Sequence, residues 1–200
     1  MLLRSPKISA SILVMDITLD LLREKLTAWK GCELAKVSNP VLGEGNPSAK
    51  IMFIGEAPGQ KEDELKRPFV GASGQFLNEL LGTIGLKRED VYISNVVKYR
   101  PPGNRDPTPQ EKEQCMPWLM LEIALIKPRV ICTLGRHSMT HFISNRTITQ
   151  AHGKPFKMSD TLTVFPIYHP AAALHNGNLR ESLYADFRAL GEYVKKEGIA

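Results

Sequence analysis

The residues best placed to do chemistry lie at the ends of apolar runs. "GEAPGQKED", from Gly55 to Asp63, follows such a run and sets Glu56, Glu62 and Asp63 on a glycine- and proline-rich loop. A phosphate loop needs a Lys followed by Ser or Thr at fixed spacing, and a dinucleotide loop needs Gly-x-Gly-x-x-Gly. Neither is present, and the acids would repel phosphate. Carboxylates at a strand tip suit metal binding, water activation or hydrogen bonding to a neutral polar ligand. Glu62 and Asp63 read equally well as solvated loop acids. Asn95 closes another apolar run, and its amide both donates and accepts, so it can read the edge of a flat ligand lying on Phe69. Phe69 has an ordinary reading as core, although it sits between Arg-Pro and Val-Gly, off any periodic face. His169 precedes Pro170 at the end of a third run, where a held imidazole suits developing negative charge. His137, His141, His152 and His175 read as structural.

These positions need strands to present them. "DITLDLLREKLTAW" has mostly helical apolar spacing with Asp16 as a cap. "AKIMFIG" reads as a buried strand, and a helix is expected from Ser73, closing at Gly82 or Gly85. "DVYISNVVKY" is a strand, and "RPPGNRDPTP" must be a surface loop. Thr108 caps the next helix, with Pro109 in its first position and Pro117 as a kink. "RVICTLG" is a strand leading to a helix in "RHSMTHFISN". "TLTVFPIYHP" is the last strand, and "NLRESLYADFRALGEYVKKEG" a closing helix. Short apolar runs without alternation mean strands buried on both faces, so the expected fold is an α/β/α layered domain with a mostly parallel sheet. Sites in such folds lie beyond the carboxyl ends of the strands.

The 200 residues suffice for one domain, expected over 16–200, with residues 1–15 a tail or a start set too early. A hydrophobic content of 42% and a charged content of 24% suit a soluble protein. A net charge of +5 permits nucleic acid without demanding it. Cys32, Cys115 and Cys132 are too scattered for a disulfide framework, which favours a reducing cytoplasm. No run approaches the roughly 20 apolar residues of a membrane span, and the first residues make a poor signal peptide.

Taken together, "GEAPG…ED…RPFVGASG", "VYISNVVKYRPPGNRDP" and "YHPAAAL" resemble type-4 uracil-DNA glycosylases, with the motifs in order from about Trp29 to the last helix. The resemblance implies a three-layer α/β/α sandwich with a central four-stranded, mostly parallel sheet. It also implies excision of uracil from DNA by a cytoplasmic, nucleoid-associated monomer without need of a cofactor for the chemistry. Carried over, Phe69 would stack on the flipped base, Asn95 would bond its edge and the backbone at Ala57 would hold it. His169 would stabilise charge on the uracil oxygen. Some relatives have Asp where this chain has Ala57, so Glu56 with Asn104 would position water, and Glu62 would support the pocket wall. Lys98, Arg100, Arg105, Arg136 and Arg180 are candidate phosphate contacts. Leu174 is either a wedge into the base stack or a core leucine.

One departure stands out. Type-4 enzymes usually hold a [4Fe–4S] cluster on four cysteines, but here Trp29 and Tyr99 replace two of them and only Cys32 and Cys115 remain. Clusters want thiolates, so the expectation is a cluster-free member with an apolar plug at that place and with free thiols. Cys132 reads as a small core residue.

Overall fold

The computed structural model describes residues 17–199. The expected tail and the Asp16 cap lie outside the described residues. Helix α1 (Leu19–Ala28) is capped by Thr18, whose hydroxyl accepts from the Leu21 amide at 3.2 Å. It buries Leu22 and Leu26, one turn apart. The chain continues through β1 (Glu44–Gly45), β2 (Ile51–Gly55), α2 (Gln60–Leu65), α3 (Ala72–Thr83), β3 (Tyr92–Asn95), α4 (Pro109–Ile126) and β4 (Val130–Leu134). Then follow α5 (Arg136–Met139), α6 (Ile148–Ala151), β5 (Phe156–Lys157), β6 (Thr163–Ile167), α7 (Pro170–His175) and α8 (Asn178–Lys196). No described helix is long and apolar enough to cross a membrane.

The sheet order is β1-β3-β2-β4-β6-β5, in which β3, β2, β4 and β6 run parallel. These are the four strands expected. The structure adds two antiparallel edges, β1 on β3 and β5 on β6. Each edge strand has two residues, too short to show any alternation in sequence. Strand pleating sends alternate residues to opposite faces. Met52, Ile54, Ile131 and Val164 face a core with α1 and α4, while Ile51, Phe53, Val130, Cys132 and Phe165 face α3 and α8. That division makes the three layers.

Helix α4 begins with a reciprocal cap: Glu111 N–H donates to Thr108 Oγ1 at 3.2 Å, and Thr108 N–H donates to Glu111 Oε2 at 2.8 Å. The helix runs past Pro117 to Ile126. The helix expected in "RHSMTHFISN" is confined to the four residues of α5, after which the chain turns. The sequence reading passed over α2, which has no buried residue to give it a periodic face.

Lys98 is the main correction. It is fully buried rather than placed on a phosphate. Its ammonium donates to Ser94 Oγ at 2.7 Å, to the Asn95 carbonyl at 2.6 Å and to the Glu122 carboxylate. Glu122, equally buried, also accepts from Ser94 Oγ at 2.7 Å, Tyr92 Oη at 3.1 Å and the Gly43 amide at 2.6 Å. All three ammonium protons are used, which is the condition for a buried charge to be tolerated. Lys98→Met strands Glu122 without its counter-charge, a change that costs about 3–5 kcal/mol. Urea unfolding of the variant should show that loss; a change below about 1 kcal/mol, the size of an exposed pair, would contradict the network.

Candidate active site at the strand tips

The four parallel strands place β2 between β3 and β4, so the connections from β2 and from β3 leave on opposite sides. The crevice at that reversal is where ligands bind in open α/β sheets. A cleft of about 300 Å³ lies there, and its walls include Glu56, Ala57, Glu62, Phe69, Asn95, Asn104, Arg105 and His169. Arg136 borders an adjoining cleft of about 260 Å³ that shares Glu56 and His169. Lys98, Arg100, Leu174 and Arg180 line neither.

The base of the cleft is set by bare backbone. Gly55 pairs with Asn95 in the sheet. A Cβ on Gly55 would come within 2.4 Å of Asn95 Oδ1 and 2.6 Å of the Phe69 ring. Past the strand ends, Val96 N–H donates to Gly55 O at 3.0 Å and Val97 N–H to Glu56 O at 2.8 Å, so the two tips stay joined. Asn95 is buried, and its Oδ1 has no hydrogen-bond partner within the protein. A buried acceptor left open beside an aromatic ring fits a ligand N–H.

Phe69 is buried and has left-handed backbone, φ +51. For a bulky residue that conformation costs about 1–2 kcal/mol, so neighbours must hold it. Glu62 does part of this: its Oε1 accepts from Val70 N–H at 2.9 Å and Gly71 N–H at 2.7 Å. A Cβ on Gly74 would lie 1.8 Å from the Phe69 carbonyl oxygen, so α3 packs directly against the turn. The Phe69 and His169 rings have centroids 5.8 Å apart.

His169 caps α7, its Nδ1 accepting from Ala171 N–H at 3.1 Å. The proton of the neutral ring therefore sits on Nε2. Burial, with His137 nearby adding to the effect, pushes the His169 pKa down to about 4. The imidazole is a neutral donor at physiological pH.

Glu56 Oε1 is buried, with Lys112 Nζ 3.0 Å away and His137 Nδ1 3.4 Å away. The lysine is close enough for an ion pair yet off the line of a hydrogen bond. Arg136 Nε donates to His137 Nε2 at 3.0 Å, and Asp106 lies 3.4 Å from the same nitrogen. Glu56, Asp106 and His137 have the donor types of a metal site, but the Lys112 ammonium already supplies the cation there. His137 and Lys112 were missed in the sequence. His137 carried a signal, its place three residues beyond β4; Lys112 carried none, being one charge in a helical run.

The remaining candidates divide by partner. Arg100 Nε donates to Asn104 Oδ1 at 2.7 Å, and Asn104 has positive φ. Arg105 forks onto Glu111 at 2.6 and 2.9 Å. Arg180 pairs with Glu79 at 3.0 Å and lies 4.3 Å above the Phe76 ring. Leu174 is 43% exposed, which removes its core reading.

At the positions where the resemblance would put cluster ligands, Cys32 and Cys115 are free and buried. Burial pushes the Cys115 thiol up to about 12. Tyr99 Oη donates to Leu26 O at 3.0 Å, and the Trp29 ring lies 6.0 Å from Tyr99 and 5.5 Å from Trp118. Two thiols among packed rings do not fit a cluster that takes four thiolates.

Residues 42–190 match the family model of the uracil DNA glycosylase superfamily, a span that contains every residue of the cleft. A type-4 uracil-DNA glycosylase of Archaeoglobus fulgidus is 46% identical over 188 residues, covering 89% of this chain and 94% of the relative. Another, of Sulfurisphaera tokodaii, is 45% identical over 185 residues, covering 88% and 84%. A type-5 uracil-DNA glycosylase of Thermus thermophilus is 31% identical over 152 residues, covering 66% and 69%. Similarity of this order over most of the chain, including a cleft built at the strand tips, means that the chain belongs to the uracil-DNA glycosylase superfamily.

Proposed function

We propose that this protein, acting as a monomer on DNA in the cytoplasm, hydrolyses the bond between uracil and deoxyribose and leaves an abasic site. The observation that carries the reading is the open Asn95 Oδ1 beside the Phe69 ring above Gly55. A flipped uracil stacks on Phe69, its N3–H donates to Asn95 Oδ1, and the amide NH₂ donates to O4. Cytosine presents an acceptor and a donor at those positions, the reverse pattern. Extrusion costs a few kcal/mol, which stacking and edge bonds offset. As the bond from N1 to the sugar breaks, charge spreads onto O2, where the neutral His169 Nε2–H donates. Glu56 orients a water toward the sugar carbon on the opposite side, held by Lys112 and His137. The new bond joins that water's oxygen to the sugar, and its proton returns through solvent to the departing base. Arg136, at the adjoining cleft, and the exposed Leu174 are the candidates for holding the strand and wedging the stack.

Oligonucleotides with one uracil or one hypoxanthine, followed by alkaline cleavage of abasic sites, test the reading. Wild type should cut at uracil, and Asn95→Ala should lose most of that rate. Cutting at hypoxanthine alone would replace uracil as the substrate, and binding without cutting would mark a non-catalytic relative. Removing a single aimed donor costs about 10²–10³ in rate, so His169→Ala should lose that much. The loss should be equal at about pH 6 and about pH 8, because the ring is neutral at both. A loss that grew at the lower pH, as a charged and stronger donor would give, would contradict a neutral donor.

We further infer that the chain holds no iron–sulfur cluster, Trp29, Tyr99 and Trp118 filling its place. Anaerobic incubation with iron and sulfide should give neither visible cluster absorption nor stoichiometric iron. The variant Trp29→Cys/Tyr99→Cys should acquire both. Iron uptake by wild type would overturn the inference.

A further inference from the structure

Arg88 lies outside the cleft, in the 3-10 turn Arg88–Asp90 that precedes β3. Only 17% of its side chain is exposed. Its guanidinium donates to the Phe69 carbonyl at 3.0 Å and, through the other terminal nitrogen, to the Pro68 carbonyl. Its Nε faces Glu44 Oε1 at 3.4 Å. Glu44 belongs to the edge strand β1 and is itself forked by Arg67, at 2.6 and 2.7 Å. Hydrogen bonding from Arg67, aided by the charge of Arg88, holds the Glu44 carboxyl below its usual range.

We propose that Arg88 is a positioning residue for base recognition: by gripping the two carbonyls at Pro68 and Phe69 it holds the left-handed turn that aims the Phe69 ring at the ligand. The inference rests on the uracil reading above. Glu62 takes the amides that follow Phe69, and Arg88 takes the carbonyls that precede and end it, so the turn is fixed from both sides. A planar fork suits this task, since one group must reach two acceptors at a set separation. An ammonium on a flexible stem lacks that geometry. The edge strand β1 thereby gains a role, because its Glu44 orients the fork.

Single-turnover excision in a double-mutant cycle tests the proposal. Misplacement of a contact by about 1 Å costs up to 10²-fold in rate, so Arg88→Met should lose roughly 10-fold to 100-fold, and Arg88→Lys should not rescue it. In a Phe69→Ala background, Arg88→Met should cost little more; in an Asn95→Ala background, it should cost its full factor. A loss of equal size in both backgrounds would assign Arg88 a general structural role and overturn the proposal. So would full activity of Arg88→Met in a system where wild type cuts uracil. If Arg88→Met does not fold, Glu44→Gln, which leaves the fork but weakens its anchor, should show a smaller loss with the same dependence on Phe69. Inactivity of folded wild type on uracil would instead overturn the functional reading, and this inference with it.

Discussion

Position 55 cannot carry a side chain, and most of the site follows from that. Gly55 ends β2 opposite Asn95, and the space a methyl group would fill is occupied by the Asn95 amide and the Phe69 ring. An amide and an aromatic face meet over bare backbone, which leaves a slot flat enough for a heterocycle. The left-handed turn at Phe69 is the cost of bringing the ring there, and Glu62 and Gly74 are arranged around it. Neighbours that over-determine a strained residue are what allow such a conformation to persist.

The second organising element is the buried Lys98–Glu122 pair. It stands directly behind Asn95, with Lys98 bonded to the Asn95 carbonyl while the Asn95 side chain faces the cleft. The tip of β3 is thus tied on one side to α4 and on the other to the β2 tip through Val96 and Val97. A recognition amide is useful only if it does not rotate away to satisfy itself. Fixing the backbone on both sides of the strand keeps its open oxygen turned toward the cleft.

The layered fold was legible because the strands are short apolar runs bounded by glycine, proline and loop signals, as in "IMFIG" and "VICTL". The edge strands were not, because Glu44–Gly45 and Phe156–Lys157 form only against partners distant in sequence. Among site residues, Glu56, Asn95 and His169 announced themselves by standing at strand tips, and Phe69 by lying off any periodic face. Lys98 misled for the same reason: three residues past a strand end, a lysine looks free, and nothing local reveals Glu122 waiting 24 positions later. Lys112 and Arg88 escaped notice, and His137 was read as structural, because their partners are set by the folded chain.

Two of the arginines considered for phosphate contacts already have anions. Arg105 is forked onto Glu111, which also closes the cap of α4, and Arg180 rests on Glu79. When such an arginine transfers to a DNA phosphate, the carboxylate it leaves attracts a cation from solution. The exchange therefore takes up roughly the counterion that the phosphate gives off. Binding through these residues should weaken with added salt less steeply than the slope of about 0.9 per phosphate contact expected for free cations. The protein's attachment to DNA would be tuned by partner exchange as much as by net charge.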